Sequence, residues 1–432
     1  MGALMLRTDS PPTGASPPPA LDFGPAGHLY ATHPLHAFAA RCPPPLAAWA
    51  IDTYTKTGAT VLDPMAGSGT TLVEATLLGR RGWGADIDPL ARLIAKAKAT
   101  PVDPAAWGTV AARAETLAAA PDADDGWRPP LPDLDKWFRA DVAADLARLR
   151  TAIARCDADP GVRDLLWVCF SSLVVARTSV ANARDLVHSR HHYRPWKANP
   201  DVLARFSAKT RQVGRMLDDF RGRLQSADEP DVRVVGDDAR ALPVSKASVD
   251  LVFTSPPYCS ALDYTRAHIF AVAWMPEILG VTAEAYRRLG RAYVGSERAP
   301  LDTAGPRALP PPTGDEGVDR IVRDLASDRK RAWIVHRYFR DMRAVLGECA
   351  RVVKPQGRAV LVVCPSNIRK VRVPTHTVLA RMATSAGRFA VEELHERTIN
   401  DNRRVMPYLE ASFGPRMRTE YVIVLRRNET DG

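Results

Sequence analysis

Residues 59–99 constrain the fold more than any other part of this sequence. Two short apolar runs each end in an aspartate, and a glycine-rich segment separates the first run from a helical pattern. The predicted elements are strands at 59–63 and 82–86 and helices at 71–78 and 89–99. Strand, glycine loop, helix, strand, acid and helix form a βαβ unit, which requires parallel strands. We therefore predict an α/β fold with a mostly parallel sheet.

The rest of the chain continues this pattern after a long interruption. Helical periodicity dominates from about residue 134 to 224, and the α/β pattern resumes near residue 230. We therefore expect a helical domain inserted into the α/β domain. The predicted divisions are a Pro-rich disordered tail at 1–26, a first α/β part at 27–100, a helical insertion at 101–229 and a second α/β part at 230–428, within which 280–330 form a flexible or exposed insertion.

Composition limits the partners and the cellular compartment that we expect for this chain. The net charge of +10 suits a polyanionic partner. No run of about 18 apolar residues occurs, so we expect no transmembrane helix and no membrane partner. The six cysteines form no C-x-x-C pair, and their spacing fits neither a zinc site nor a disulfide framework. We therefore expect no metal and a reducing, cytoplasmic setting.

The first candidate site is the glycine-rich segment at 63–71. Glycines between a strand and a helix let the backbone approach a ligand closely. No lysine follows Gly69, which argues against a phosphate-binding loop, whereas Asp63 at the strand end suggests a cationic amine on the ligand. Asp86 ends the next strand and is placed to accept ribose hydroxyls, with Asp88 as the alternative.

The second candidate site is Ser255-Pro256-Pro257-Tyr258, which follows the apolar run 249–253. Each proline fixes φ and lacks an N–H group, so the segment cannot continue as a central strand or enter a helix. The result is a stiff loop at a strand end, with carbonyl groups and a tyrosine ring beside each other. Such a loop could bind a planar group that carries an exocyclic NH2.

These two motifs together resemble those of the amino-group DNA methyltransferases. Residues 63–71, DPMAGSGTT, look like the cofactor motif of that family, and TSPPY at 254–258 looks like its catalytic motif in the form associated with cytosine-N4 enzymes. Residues 36–43 are similar to the segment that precedes the cofactor motif. Gly236-Asp237-Asp238-Ala239-Arg240 resembles the motif whose acid faces the cofactor adenine, and Asp238 fits best. The resemblance covers about residues 28–99 and 230–427.

The resemblance implies a Rossmann-like, AdoMet-dependent methyltransferase sheet with S-adenosyl-L-methionine as cofactor. It assigns the cofactor site to Phe38, Asp63, Pro64, Ala66, Gly67, Ser68, Gly69, Thr70, Asp86, Ile87 and Asp238. It assigns the catalytic site to Ser255, Pro256, Pro257 and Tyr258. The implied reaction is methylation of cytosine N4 in double-stranded DNA by base flipping, in a restriction-modification or related system that could include a cognate endonuclease. The DNA would place the protein at the nucleoid within the cytoplasm. The alternatives are adenine-N6 methylation, base methylation of RNA, and an inactive relative that binds cofactor or DNA.

The densest basic stretch, at 184–215, is the first candidate for target recognition. Basic and aromatic residues interleave there, as suits contact with phosphates and bases, although a solvated helical face would have a similar composition. The residues that we predict to contact DNA are Arg190, His192, Arg194 and Lys197, together with Arg266. The segment 280–330, predicted to be a flexible or DNA-facing insertion, is the second candidate. Cys259 is expected to pack in the interior, because no Pro-Cys dipeptide indicates a cysteine nucleophile.

Overall fold

The structure is a computed structural model. It describes residues 21, 23, 29–38, 41–120, 123–176, 201–226, 230–259, 264–298, 308–385, 387–399 and 419–429. Most of the predicted tail at 1–26 lies outside these residues, but Leu21 is buried and packs against the first helix.

The central feature of the fold is a seven-stranded sheet in the order β3-β2-β1-β4-β5-β9-β8. The strands of the described residues are β1 (Thr60–Asp63), β2 (Arg81–Ala85), β3 (Val232–Gly236), β4 (Val249–Thr254), β5 (Val353–Val363), β6 (Ser366–Ile368), β7 (Val371–Val373), β8 (Phe389–Thr398) and β9 (Thr419–Arg427). Strands β1 to β5 pair in parallel, and β9 lies antiparallel between β5 and β8. Strands β6 and β7 form a separate hairpin. The prediction of a mostly parallel α/β sheet is confirmed.

Helices cover both faces of the sheet. They are α1 (Pro44–Tyr54), α2 (Thr70–Leu77), α3 (Pro89–Ala99), α4 (Pro104–Ala119), α5 (Leu134–Trp137), α6 (Ala140–Arg155), α7 (Pro160–Ala176), α8 (Val202–Arg223), α9 (Tyr264–Trp274), α10 (Pro276–Leu279), α11 (Ala283–Leu289), α12 (Glu316–Asp324), α13 (Arg329–Val352) and α14 (Thr375–Ser385). None of these helices is both long enough and apolar enough to cross a membrane.

Alternating side chains on the central strands divide the core into two layers. Val61 and Leu251 are register partners and pack in the cluster that includes α1. The next pair, Leu62 and Val252, packs in the cluster that includes α13. Because helices cover both faces, these strands are apolar along their whole length rather than on alternate residues.

The helical block at 104–223 shares one core with the α/β domain. Residues of α4, α6, α7 and α8 pack together with α3 and α9 in a single cluster. The indole N–H of Trp107 on α4 donates to the Thr210 carbonyl on α8 at 3.0 Å. The segment 280–330 is also more than an exposed connection, because it contains α11 and α12 and buries Tyr286 completely.

Candidate active site

A cleft opens at the carboxyl ends of the parallel strands, where ligand sites of open α/β sheets usually lie. The aspartates after β1, β2 and β3 and the serine after β4 all line it. Of the residues predicted for the cofactor and catalytic sites, the cleft brings together Phe38, Asp63, Pro64, Ala66, Gly67, Ser68, Thr70, Asp86, Ile87, Asp238, Ser255 and Pro257. Gly69, Pro256 and Tyr258 are not among its lining residues.

The glycine loop has a backbone that side chains would not permit. Gly69 has φ +79°, and a Cβ there would lie 2.5 Å from the Cα of Ala95 on α3. This close approach lets α2 begin directly against α3. Gly67 has φ +50°, and a Cβ there would meet the Phe38 ring at 3.4 Å. The loop is therefore shaped by packing on one side and by the open cleft on the other.

Asp63 is buried at the end of β1 and is hydrogen-bonded by uncharged groups. The Thr71 hydroxyl donates to its Oδ2 at 2.6 Å, and the Met65 N–H donates to its Oδ1 at 3.1 Å. Burial raises the pKa of Asp63 to about 6 despite these hydrogen bonds. A positively charged ligand in the cleft would stabilise the ionised form of this carboxyl group.

Asp86 ends β2 and binds the glycine loop. Its Oδ2 accepts from the Gly67 N–H at 2.8 Å, and its Oδ1 accepts from the Asp88 N–H at 2.8 Å. Burial, followed by the nearby charge of Asp88, raises the pKa of Asp86 to about 7. Asp86 is thus a second carboxyl group whose ionisation a cationic ligand would favour.

Asp88 also lines the cleft, but its carboxylate is engaged in hydrogen bonds within the protein. Its side chain caps α3 by accepting from the Leu90 and Ala91 N–H groups, at 2.9 and 3.4 Å. Its Oδ2 also lies 2.7 Å from Nδ1 of His268 and accepts from the Tyr286 hydroxyl at 2.8 Å. Burial disfavours its charge, but His268 and the hydrogen bonds hold the pKa of Asp88 below its usual value.

Asp238 lies after β3 and is paired with Arg240. The Arg240 guanidinium donates to both carboxylate oxygens of Asp238 at 2.9 Å, and its backbone N–H donates at 2.9 Å. Partial burial opposes ionisation, but the hydrogen bonds and charge of Arg240 leave the pKa of Asp238 below its usual value. Both residues line the cleft, whereas Asp237 is exposed and outside it.

A column of aromatic rings forms one wall of the cleft. Phe38 stacks on Tyr264 with ring centroids 5.9 Å apart, and Tyr264 stacks on Tyr293 at 6.3 Å. Burial, with the charges of Asp86 and Asp88, raises the pKa of the Tyr264 hydroxyl well above its usual value. Tyr264 and Tyr293 were not predicted for the site, and the position of Tyr264 shortly after the Ser-Pro-Pro-Tyr motif is the one sequence signal for them.

The Ser-Pro-Pro-Tyr loop forms a further edge of the cleft. Ser255 and Pro257 line it, whereas the half-buried Tyr258 ring lies beside Cys364 and Glu420. Burial, then these two neighbours, raises the pKa of Tyr258 above its usual value. Gly295 packs against the loop, since a Cβ there would lie 2.7 Å from the Tyr258 carbonyl oxygen.

Cys259 is buried among apolar side chains, as predicted. Burial raises the pKa of its thiol above the usual range, so the group is protonated at neutral pH and unsuited to nucleophilic attack. Within the described residues, no cluster of three His, Cys, Asp or Glu side chains could hold a metal ion.

The residues predicted for DNA contact are mostly not described. Arg190, His192, Arg194 and Lys197 lie outside the described residues. Arg266 is exposed on α9, two residues from the aromatic column. The side chains that sequence reasoning did not assign to the cleft include Arg41, Cys42, Thr71, Arg240, Tyr264 and Tyr293.

Comparison with known proteins shows similarity to methyltransferases in both sequence and structure. A family model described as DNA methylase matches residues 24–97. The Type II methyltransferase M.MvaI of Kocuria varians is 24% identical over 376 residues, covering 81% of this chain and 80% of that protein. A SAM-dependent methyltransferase from Methanosarcina mazei has 9% identity and a TM-score of 0.34, over 88% of this chain and 98% of that one. A TM-score this low does not establish a close structural match.

Proposed function

We propose that this chain is an amino-group DNA methyltransferase, an interpretation supported by its similarity to a DNA methylase family model and to M.MvaI, and that it transfers a methyl group from S-adenosyl-L-methionine to the N4 amino group of cytosine in duplex DNA. One observation carries the proposal. The buried carboxyl groups of Asp63 and Asp86 share a cleft with Ser255 and Pro257. A cationic methyl donor and an amino-bearing base would meet between these two sets of residues.

The residues of the cleft fit the cofactor. S-adenosyl-L-methionine supplies an electrophilic methyl group on a positively charged sulfur, together with an ammonium group, ribose hydroxyls and adenine. Asp63 and Asp86 are bound by uncharged donors and have raised pKa values of about 6 and 7, so each would gain from a cationic ligand. Asp86 would accept the ribose hydroxyls, Asp238 would face the adenine, and Phe38 would pack beside the ligand over Gly67.

Ser255 and the following prolines would prepare the base for reaction. An exocyclic amine conjugated to a ring is a poor nucleophile, because its lone pair is delocalised. Hydrogen bonds from the NH2 to the Ser255 side chain and to a carbonyl near Pro256 would favour a pyramidal nitrogen and direct its lone pair at the methyl group. Positioning and electrostatics would thus supply most of the rate, without a covalent enzyme intermediate.

The target base would leave the duplex to reach this cleft, since the loop lies at a strand end inside the fold. Tyr258 would stack on the extruded base, a contact typically worth about 1–3 kcal/mol. The ring is half-buried beside Cys364 and Glu420 and lies next to the cleft-lining Pro257.

The choice of cytosine N4 depends on Ser255, because the SPPY form resembles that of cytosine-N4 enzymes. Adenine-N6 transfer is the alternative within the same chemistry, since the loop could bind either amine. A relative that binds cofactor or DNA without catalysis is the second alternative. The intact Asp63, Gly67, Gly69 and Ser-Pro-Pro-Tyr residues argue against it.

The biological setting that fits best is a restriction-modification system. M.MvaI, the curated relative, is a Type II methyltransferase, and we propose the same kind of role here, with double-stranded DNA as substrate and a cognate endonuclease as partner. The protein would work in the cytoplasm at the nucleoid. Arg190, His192, Arg194, Lys197 and Arg266 would contact the DNA, and the net charge of +10 favours such contact.

Transfer of labelled methyl groups in vitro tests the activity. Purified protein, labelled S-adenosyl-L-methionine and unmethylated plasmid DNA should give labelled DNA, and structured RNA in place of the plasmid should give none. Asp63→Asn should abolish labelling, whereas Asp250→Asn, at the start of β4 away from the cleft, should preserve it. Cofactor binding without labelling of any DNA would instead favour the inactive relative.

A further inference from the structure

We propose that Asp88, His268 and Tyr286 form a buried clasp that holds residues 264–298, here called the cap segment, against the cofactor cleft, and that cofactor affinity depends on this clasp. The inference rests on the proposed function, since it concerns the cofactor named there. His268 and Tyr286 would be positioning residues, because they act through the cap segment and are not among the lining residues of the cleft. Asp88 lines the cleft, but its carboxylate is engaged by His268, Tyr286 and the first turn of α3.

The clasp joins three elements that are distant in sequence. Asp88 precedes α3, His268 lies on α9 and Tyr286 lies on α11. All three side chains are buried, and Asp88 Oδ2 is within 2.7 Å of His268 Nδ1 and 2.8 Å of the Tyr286 hydroxyl. One carboxylate oxygen therefore fixes two of the three helices of the cap segment, α9 and α11, to the end of the cofactor half.

The cap segment carries much of one wall of the cleft. Tyr264, Ala292, Tyr293 and Val294 all line it. Tyr264 begins α9, one turn before His268, and its ring stacks between those of Phe38 and Tyr293. The Phe38 ring also packs on His268, with centroids 5.1 Å apart. The clasp thus lies directly behind the aromatic column.

The far end of the cap segment is tied to the catalytic half. The Arg337 guanidinium on α13 donates to the Tyr293 carbonyl at 2.9 Å and also to the Arg291 carbonyl. Gly295 lies against the Tyr258 carbonyl. With both ends fixed, the cap segment spans from the cofactor strands to the Ser-Pro-Pro-Tyr loop. Release at the clasp would loosen the cofactor wall while the contact with the catalytic loop persists.

This arrangement predicts separate effects on cofactor binding and on the chemical step. Without the clasp, the cleft also populates states in which the aromatic wall is displaced. Part of the binding free energy of the ligand is then used to restore the wall. Cofactor affinity should fall, but a saturated enzyme would have the wall restored, so kcat should change little. If the clasp served stability alone, its loss would lower the melting temperature but would not weaken cofactor binding selectively over kcat.

Tyr286→Phe is the sharpest test, because it removes one hydroxyl and leaves the helix cap of Asp88 intact. The matched control is Tyr54→Phe, which also removes a tyrosine–carboxylate hydrogen bond, to Glu393 at 3.0 Å, between α1 and β8. Binding of S-adenosyl-L-methionine is measured by calorimetry, at a temperature at which circular dichroism shows each variant folded. Steady-state kinetics then give KM for the cofactor and kcat.

We expect Tyr286→Phe to weaken cofactor binding about 5-fold or more and to raise KM similarly, with kcat within about twofold of wild type. Tyr54→Phe should bind as wild type does, even if its melting temperature falls equally. Equal cofactor affinity in Tyr286→Phe and Tyr54→Phe would overturn the clasp. A wild-type protein that binds no S-adenosyl-L-methionine would instead contradict the proposed function itself.

A second pair of variants at His268 tests the same contact from the other helix. Asparagine can place an amide donor near the Nδ1 position, whereas alanine cannot. His268→Asn should therefore retain tighter cofactor binding than His268→Ala. If both variants bind the cofactor equally, the hydrogen bond to Asp88 does not control affinity and the clasp is wrong.

Discussion

Asp86 Oδ2 accepts a 2.8 Å hydrogen bond from the backbone N–H of Gly67. This contact ties the end of β2 to the loop that follows β1. The same carboxylate also binds the Asp88 N–H, so it fixes the turn into α3. The sequence suggests the glycine loop and Asp86 as separate ligand contacts. In the structure they form one hydrogen-bonded unit before any ligand binds.

Cofactor affinity should rise with pH between about pH 5.5 and pH 7.5. The pKa values of Asp63 and Asp86 are raised to about 6 and 7, so at the lower pH both carboxyl groups are largely protonated. A cationic ligand binds better to the ionised forms, and binding should release protons. We expect affinity to rise about 10-fold or more across this range. Calorimetry in buffers of different ionisation enthalpy measures both quantities, and a pH-independent affinity would exclude these carboxyl groups as the cation partners.

Gly69→Ala should destabilise the protein far more than Gly58→Ala. Both glycines have φ +79°, but a Cβ at Gly58 meets nothing within 4 Å, whereas one at Gly69 would lie 2.5 Å from the Cα of Ala95. The backbone strain, about 1–2 kcal/mol, is common to the two variants. The clash at Gly69 should add about 1–3 kcal/mol. Denaturant unfolding gives both free energies, and equal losses would show that α2 and α3 separate freely.

Tyr258→Ala should lower turnover while cofactor binding is kept. Loss of stacking on the base should reduce kcat/KM for DNA about 10- to 100-fold. Asp63→Asn is the contrasting variant, because its main defect should be weaker cofactor binding. Calorimetry with S-adenosyl-L-methionine and a methyl-transfer assay on the same preparations separate the two effects. Near wild-type turnover in Tyr258→Ala would show that the ring does not hold the base.

Arg266→Ala should weaken DNA binding to a similar degree on every sequence. Arg266 is exposed on α9 beside the cleft, where a phosphate contact is expected. Removal of one such contact should lower the slope of log K against log salt by about 1. Arg426→Ala is the control, because Arg426 lies on β9 beside Arg358, in the middle of β5 and away from its cleft end at Val363. If the two variants have the same salt dependence, Arg266 does not contact the backbone.

The sequence predicts the cofactor half well because its signals are local. The spacing of residues 59–99 predicts β1, α2, β2 and α3 to within one residue, since a glycine, proline or aspartate lies at or next to one end of each element. The carboxyl ends of parallel strands then bring Asp63, Asp86, Asp238 and Ser255 to one edge without further information. The hydrophobic periodicity of α4 is weak, because its many alanines differ little in hydrophobicity from polar neighbours. Alanine nevertheless has a high helix propensity.

The cap segment could not be predicted from the sequence, because its contacts are long-range. The hydrogen bond from Tyr286 to Asp88 joins residues 198 positions apart. Between residues 280 and 330, proline and arginine clusters suggest an exposed connection, yet Tyr286 and Tyr293 are buried. The role of Asp88 was open for the same reason. Its neighbours in sequence do not distinguish a ligand contact from a helix cap that also binds two distant side chains.

Mass analysis of host DNA shows directly which base, if any, the protein methylates. DNA from cells that express the protein is digested to nucleosides and compared with DNA from cells that express Tyr258→Ala. We predict N4-methylcytosine in the first sample and a strong reduction in the second. N6-methyladenine in its place would show that Ser255 does not select cytosine, and the absence of both modified nucleosides would contradict methyl transfer to DNA by this protein.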